Sequence, residues 1–357
     1  MTVESDIAIN IGELQQFCLA VLARVGFARE DASIITDSLI QADLRGLNTH
    51  GVMRLPIYLQ RLQAGSINPA PRFTVVRESP CHVLIDGDNG MGQVCGTYGM
   101  QQALQKAAAS GIGIAGVRNS NHFGMAAYYV LQALKENMIG VALSNTEPLM
   151  PAPGGAEAVV GNNPIAVGIP AQNSDPIVLD MACSAAAIGK IIIAQKKGER
   201  IPAGWATDRE GNITSDPQEA LAGGFLLPVG GPKGYGLALV VDVLCGVLTG
   251  GGFGRQVMTL FSDFHLKQNV GHLFVALNPA LFLPLESFLA RVDLLSAQIK
   301  NSAKARGVAE IFLPGEIEWS KYKESLRGQV IHLPAPVVAE LNSLARGLGM
   351  TCQLGIN

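Results

Sequence analysis

The chain is 357 residues long, 48% hydrophobic and only 15% charged, with 26 Lys and Arg against 29 Asp and Glu for a net charge of −3. That length predicts two or three domains around more than one core, and the apolar richness points to buried subunit interfaces. The near-neutral charge and the lack of a basic run exclude nucleic acid and a membrane surface as expected partners.

The opening MTVESDIAIN has no basic n-region or apolar h-region, so no signal peptide is expected and the chain is placed in the cytoplasm. Cys18, Cys81, Cys95, Cys183, Cys245 and Cys352 form no CxxC pair. They read as small buried hydrophobes in a reducing compartment. Residues 10–65 read as helical up to Gly65 and the Asn68-Pro69-Ala70-Pro71 break. Within them Ile34, Ile35, Leu39 and Ile40 mark one amphipathic helix, and Leu55, Tyr58, Leu59 and Leu62 a second. The polar break between the two, Arg45-Gly46-Leu47-Asn48-Thr49-His50-Gly51, is the most informative stretch of the chain. Thr49 is expected to N-cap the second helix, with Arg54 one turn inside it. Arginine offers a bidentate carboxylate clamp and histidine a proton near neutral pH, so this corner suits an anionic oxygen substrate. The competing reading is a helix–turn–helix corner with ordinary capping and surface ion pairs.

Short strands are expected at 74–76 and 82–86, a helix at 100–110, a helix at 128–136 and a strand at 139–144. Apolar runs at 165–169 and 177–179 follow, then a buried helix at 237–248, which Asp242 interrupts and which is too short to span a bilayer. A strand at 272–277, a helix at 285–300, a strand-like run at 309–313 and a helix at 336–348 complete the chain. A helical start, a mixed centre and a helical tail favour α+β over a doubly wound sheet. Gly111-Ile112-Gly113-Ile114-Ala115-Gly116 matches the dinucleotide fingerprint GxGxxG, but here a helix enters the motif and alternating apolar residues make it strand-like. A pyrophosphate needs the reverse order, strand in and helix out, so the match is rejected as a Rossmann site.

His122 lies in the polar run 117–124, where Asn119 or Ser120 is expected to cap the helix that follows. His82, His265, His272 and His332 sit in apolar or unremarkable contexts, which leaves His50 and His122 as the catalytic candidates. Neither belongs to an HxxxH spacing, so no metal is expected. Loops of Gly, Asn and Pro at 144–155 and 161–164 offer backbone N–H groups to an anion. Asp180 ends a strand, a position that suits a ribose, a helix cap or a histidine partner. Lys233, in GGPKGYG at a helix start, suits a phosphate or ribose. It lacks the spacing of a P-loop, and no GxSxG elbow or Cys–His pair supports nucleophilic catalysis.

Taken together in order, DLRGLNTHGVMRLPIY, NSNHFG, the PGG and GNNP pair, LDMACS, GGPKGYGL and the late PGE resemble the malate/L-lactate dehydrogenase family of NAD(P)-dependent oxidoreductases. The resemblance runs from about residue 10 to the C-terminal helix. It implies a helical domain, 1–74 completed by 317–357, and a non-Rossmann cofactor domain, 75–316, with a mostly antiparallel mixed sheet and flanking helices. A homodimer or higher homo-oligomer with its site near the subunit boundary is implied as well. By the same resemblance His122 and His50 are catalytic, and Arg54, Tyr58 and Thr49 bind the substrate carboxylate. Thr146, Asp180, Met181, Ala182, Lys233, Gly234, Pro314, Gly315 and Glu316 contact NAD or NADP, with NAD favoured. Thr49 stands where many members have serine, Cys183 where DMATS has threonine, and Asn162 where GTNP has threonine. The implied reaction is hydride transfer at the carbon next to the carboxylate of a small 2-hydroxy or 2-oxo acid of malate, lactate, ureidoglycolate or sulfolactate type. A reductase of cyclic ketimines such as piperideine- or pyrroline-2-carboxylate is the alternative, and a catalytically silent nucleotide binder a minor one.

Overall fold

Seven of the apolar runs assemble into one sheet in the computed structural model, which describes residues 6–355. The first five residues of the stretch read for a signal peptide therefore lie outside the described residues. In spatial order the strands are Thr74–Glu78, His82–Asp86, Ile112–Ser120, Val270–Leu277, Ile139–Ser144, Ile165–Ile169 and Ile177–Met181. Every neighbouring pair is antiparallel except His82–Asp86 with Ile112–Ser120. The helix Gly92–Ser110 makes the crossover that a parallel pair requires. The expected mostly antiparallel α+β architecture is what the chain adopts.

The GxGxxG match lies at the start of the strand Ile112–Ser120, and its glycine at 113 serves packing. A Cβ built there would fall 1.9 Å from the Ala103 carbonyl oxygen of the crossover helix. Glycine thus lets helix and sheet touch backbone to backbone. Gly113→Ala should destabilise the protein by about 3 kcal/mol, the upper range for forcing a methyl into a packed interior. A denaturant midpoint equal to wild type would remove this role.

A second core joins the two ends of the chain. Leu14, Phe17, Leu39, Leu55 and Leu59 pack with Ile331, Leu333, Leu341 and Ala345. They come from the helices Ile11–Arg24, Arg29–Leu44, Leu55–Gln63 and Ala335–Gly347, and from the strand pair Ile7–Asn10 and Val330–Leu333. A third core, with Met150, Val160, Cys183, Ile191, Ile201 and Ala238, supports the glycine-rich loops of the middle.

Several expected elements differ. The run 237–248 is helical, as Pro232–Asp242 followed by a π turn at Val243–Val247, but it is not buried. Ala238, Val241, Asp242, Cys245 and Gly246 are buried, while Leu237, Val240, Val247 and Leu248 are 49%, 54%, 53% and 64% exposed. A largely apolar helix lying on a sheet has one face covered and the other left open. Residues 309–313 form no strand, because only one hydrogen bond, from the Val178 N–H to the Pro314 oxygen (3.0 Å), links this segment to the sheet edge. The helix Gly92–Ser110 starts eight residues ahead of the expected 100. Cys81 is half-buried and Cys352 exposed, so only four of the cysteines behave as buried hydrophobes. No described helix is long and apolar enough to cross a membrane.

Candidate active site

The helix Arg29–Leu44 ends at a corner built by Asp43. Its buried carboxylate accepts the Val52 N–H at 2.8 Å. A Cβ on Gly51 would fall 2.0 Å from the Asp43 oxygen, so only glycine lets the chain pass. Two 3₁₀ turns, Asn48–His50 and Val52–Arg54, then lead into the helix Leu55–Gln63. Those turns delay the helix by five residues, and Thr49 therefore does not cap it. The residue at the cap is Arg54, with no side-chain cap bond. Thr49 instead holds both candidates beside it. Its hydroxyl is 3.1 Å from His50 Nδ1, and its carbonyl accepts Arg54 Nε at 2.6 Å. Nε is the sole guanidinium nitrogen of Arg54 with a protein partner among the described residues, and the guanidinium lies 5.0 Å from the centre of the Phe261 ring. The two terminal nitrogens are left as a fork for a ligand.

Asn119 and Ser120 belong to the strand Ile112–Ser120 and cap nothing. The first N–H of the helix Ala127–Lys135 is instead accepted by Asp180 at 2.7 Å. His122 falls in the loop between that strand and helix, its own N–H donating to Gln268 Oε1 at 3.0 Å. There it meets the opening motif. The Tyr58 hydroxyl is 2.7 Å from His122 Nδ1, and the His50 and His122 rings stack with centroids 5.8 Å apart. Segments separated by 64 residues thus form one cluster of Thr49, His50, Arg54, Tyr58 and His122.

Burial sets the protonation of this cluster, because a charged ring loses its water there. It pushes His50 down to about 4, with Arg54 adding repulsion. His122 is held well below the ordinary histidine value by burial, then by His50, Arg54 and His272. Burial raises the Tyr58 phenol to about 12. Both imidazoles are neutral at pH 7, and the phenol keeps its proton.

The loops expected to hold the cofactor are tied to one another. Thr146 donates its hydroxyl to Asn162 Oδ1 (3.0 Å) and its N–H to Asn163 Oδ1 (2.9 Å). The Asn162 carbonyl accepts the Cys183 N–H at 2.7 Å, and the Cys183 carbonyl accepts the Val229 N–H at 2.9 Å, next to the turn that carries Lys233 and the buried Gly234. Asp180 and Met181 end the edge strand, Ala182 follows, and Pro314 and Gly315 cross that edge at Val178. Glu316 pairs with Lys300 (2.7 Å) and accepts the Leu313 N–H (2.8 Å), which fixes the turn before it.

A cavity of about 200 Å³ lies here, lined by Met125, Val178, Asp180, Pro314, Glu318 and Trp319 among others. Apolar walls for a flat ring and carboxylates for hydroxyls are a fit to the nucleoside end of a dinucleotide. Lys233, exposed at the start of Pro232–Asp242 behind two glycines of positive φ, fits its phosphates.

A family model described as malate/L-lactate dehydrogenase matches residues 9–342. The chain belongs to the malate/L-lactate dehydrogenase family. It is 42% identical to the malate dehydrogenase of Pyrococcus abyssi over 97% of this chain and 96% of that one. It is 34% identical to the ureidoglycolate dehydrogenase (NAD(+)) of Escherichia coli O157:H7, over 87% and 88%. The solved sulfolactate dehydrogenase of Methanocaldococcus jannaschii superposes with a TM-score of 0.90 at 40% identity, covering 96% and 98%. Membership makes this chain an NAD(P)-dependent oxidoreductase of small 2-hydroxy acids. Three residues that support this cluster were missed in the sequence. Gln93 donates to the Tyr58 oxygen at 3.1 Å. His272 bridges Ser120 (2.8 Å) and Ser144 (2.9 Å) and stacks on Phe123 at 4.7 Å, directly behind the His122 loop. Arg61, fully buried, donates to the carbonyls of Thr259, Leu260, Ser262 and Leu266 and so holds the loop that presents Phe261 and Gln268.

Proposed function

We propose that the Arg54 fork binds the carboxylate of a 2-oxo or 2-hydroxy acid while His122 exchanges a proton with its 2-oxygen. The observation that carries this reading is the 2.7 Å contact of Tyr58 with His122, which supports His122 as a proton-moving ring in the same cluster as Arg54. His50 stacks on that ring and keeps it facing the clamp. When bound, the nicotinamide accepts or supplies the hydride. Thr146, Asp180, Met181, Ala182, Lys233, Gly234, Pro314, Gly315 and Glu316 form the cofactor side. Asp180 and Glu318 would repel a 2′-phosphate, and Arg45, which lines the same cavity, already bonds Gln41 and stacks on Tyr322 at 4.2 Å. NAD is therefore favoured over NADP. The core that joins the chain ends, set against the separate cores of the sheet and the middle loops, supports the division into a terminal helical domain, 1–74 with 317–357, and a cofactor domain, 75–316. The free cysteines support a cytoplasmic setting.

Initial rates with pyruvate, oxaloacetate and a cyclic ketimine, each with NADH and NADPH, test the reading. Turnover of a 2-oxo acid with NADH is expected. Turnover with the ketimine alone would transfer the same clamp to a C=N bond, and none with any of them would leave only a nucleotide binder.

The exposed apolar face of Leu237, Val240, Val247 and Leu248 supports a homodimer, since a contiguous patch of this kind seldom faces water in a monomer. A second copy covers it by two-fold symmetry. Sedimentation is expected to give a dimer and Val240→Asp a monomer. A monomeric wild type at micromolar concentration would remove the proposal.

A further inference from the structure

Gln93 is fully buried in the first turn of the crossover helix, with its Nε2 on the Tyr58 oxygen and its Oε1 without any hydrogen-bond partner. A buried amide carbonyl left unpaired is costly unless another arrangement of the same groups uses it. The three side chains stand in line, Gln93 to Tyr58 at 3.1 Å and Tyr58 to His122 at 2.7 Å. With Nε2 facing Tyr58, the phenol accepts from Gln93 and donates its proton to His122 Nδ1. The His122 proton is then on Nε2. A half-turn of the amide reverses both bonds: Oε1 accepts the phenol proton, and the phenol oxygen accepts from His122 Nδ1–H.

Proton transfer needs the second arrangement. An imidazolium has a proton on each nitrogen. Once Nε2 has given its proton to the 2-oxygen, the Nδ1–H form remains, ready to take one back in the opposite direction. Both forms donate from Nδ1 and require a phenol oxygen that accepts. That in turn requires an acceptor for the phenol proton, and Gln93 Oε1 is the group in place.

We propose that Gln93 is a positioning residue whose amide, acting through Tyr58, sets which nitrogen of His122 carries the proton. The proposal rests on His122 being the proton-transfer group. The titratable and charged groups that face His122 are Tyr58, His50, Arg54 and, behind Phe123, His272. Of these, Tyr58 alone is linked to Gln93 by a hydrogen bond.

The test compares Gln93→Met with Gln93→Glu by the pH dependence of kcat/KM in the alcohol-oxidising direction. Methionine fills the volume but accepts no phenol proton, so the imidazolium is disfavoured. The acidic limb should move down by about one pH unit, and turnover should fall roughly tenfold. A glutamate carboxylate accepts that proton more strongly, and the limb should move up. In a Tyr58→Phe background neither variant should shift the limb further. ¹⁵N spectra of histidine-labelled, NADH-bound protein, with the His122 signal assigned by its loss in His122→Asn, should show more Nδ1–H in Gln93→Glu and less in Gln93→Met. NADH affinity within twofold of wild type shows that each variant is folded; Gln93→Leu replaces Gln93→Met where that one is not, and where Gln93→Glu is not, the downward limb of the acceptor-less variant alone decides. Limbs and ¹⁵N shifts that move in the same direction in both variants, or in neither, overturn the role of Gln93. If His122→Asn itself keeps wild-type turnover, the reading of His122 falls first, and the Gln93 proposal falls with it.

Discussion

His122→Asn is expected to lower kcat by ~10²–10⁴-fold, the usual worth of general acid–base help, while the affinity for NADH stays within about twofold. The ring has the two attributes this demands. It is fixed by the Tyr58 hydroxyl at Nδ1, and its backbone is held by the Gln268 oxygen on the main-chain N–H of His122. It also titrates in response to its neighbours, because burial, His50 and Arg54 all disfavour its charged form. A substrate carboxylate on Arg54 would offset one of those positive charges and raise the His122 pKa toward the working pH. Binding of an unreactive carboxylate analogue should therefore be accompanied by proton uptake, measurable by calorimetry in buffers of different ionisation enthalpy. His50, bonded to the hydroxyl of its own neighbour Thr49, is less well linked to the rest of the site. His50→Asn should cost clearly less. If it costs more than His122→Asn, the two histidines exchange roles.

What could be read in the sequence was what is local. The strands Ile139–Ser144 and Ile165–Ile169 are runs in which apolar and small residues alone signal a buried sheet. The corner at 45–51 stood out because its His, Thr and Arg are crowded into two turns. Elements that depend on distant partners were not legible. The strand Ile7–Asn10 is four residues long and pairs with Val330–Leu333 at the other end of the chain. The helix Glu316–Gly328 buries no residue, so it carries no apolar stripe to detect. Within the site, His272 reads as apolar because its neighbours in the strand are Leu273 and Phe274. The serines that make it a bridge come from two other strands. Gln93 and Arg61 were missed for the same reason, since an amide or guanidinium inside a helix shows nothing of the loop it reaches. The apolar run 237–248 misled in the opposite direction: hydropathy reports the wish to be covered, not whether this chain or a second copy does the covering.

Arg54→Lys should raise KM for a 2-oxo acid by roughly 10–100-fold, the loss of one or two charge-assisted hydrogen bonds, with kcat changed far less and NADH affinity unchanged. The geometry makes lysine a poor replacement. Nε is fixed on the Thr49 carbonyl at 2.6 Å, and the guanidinium carbon lies over the Phe261 ring, 5.0 Å from its centre. Together these aim the two terminal nitrogens in one direction before any substrate arrives. A lysine keeps the charge but has one nitrogen, so it must choose between the Thr49 oxygen and the ligand, and it loses the guanidinium's contact with the ring. Phe261→Ala separates orientation from charge. It leaves the guanidinium in place but removes the surface it rests on, and it should raise KM by a few-fold only, in the same sense as Arg54→Lys. Arg54→Lys with an unchanged KM would mean that the carboxylate is bound elsewhere. Arg54→Lys with KM unchanged and kcat collapsed would instead assign Arg54 to the histidine pair, whose protonation its charge already depresses.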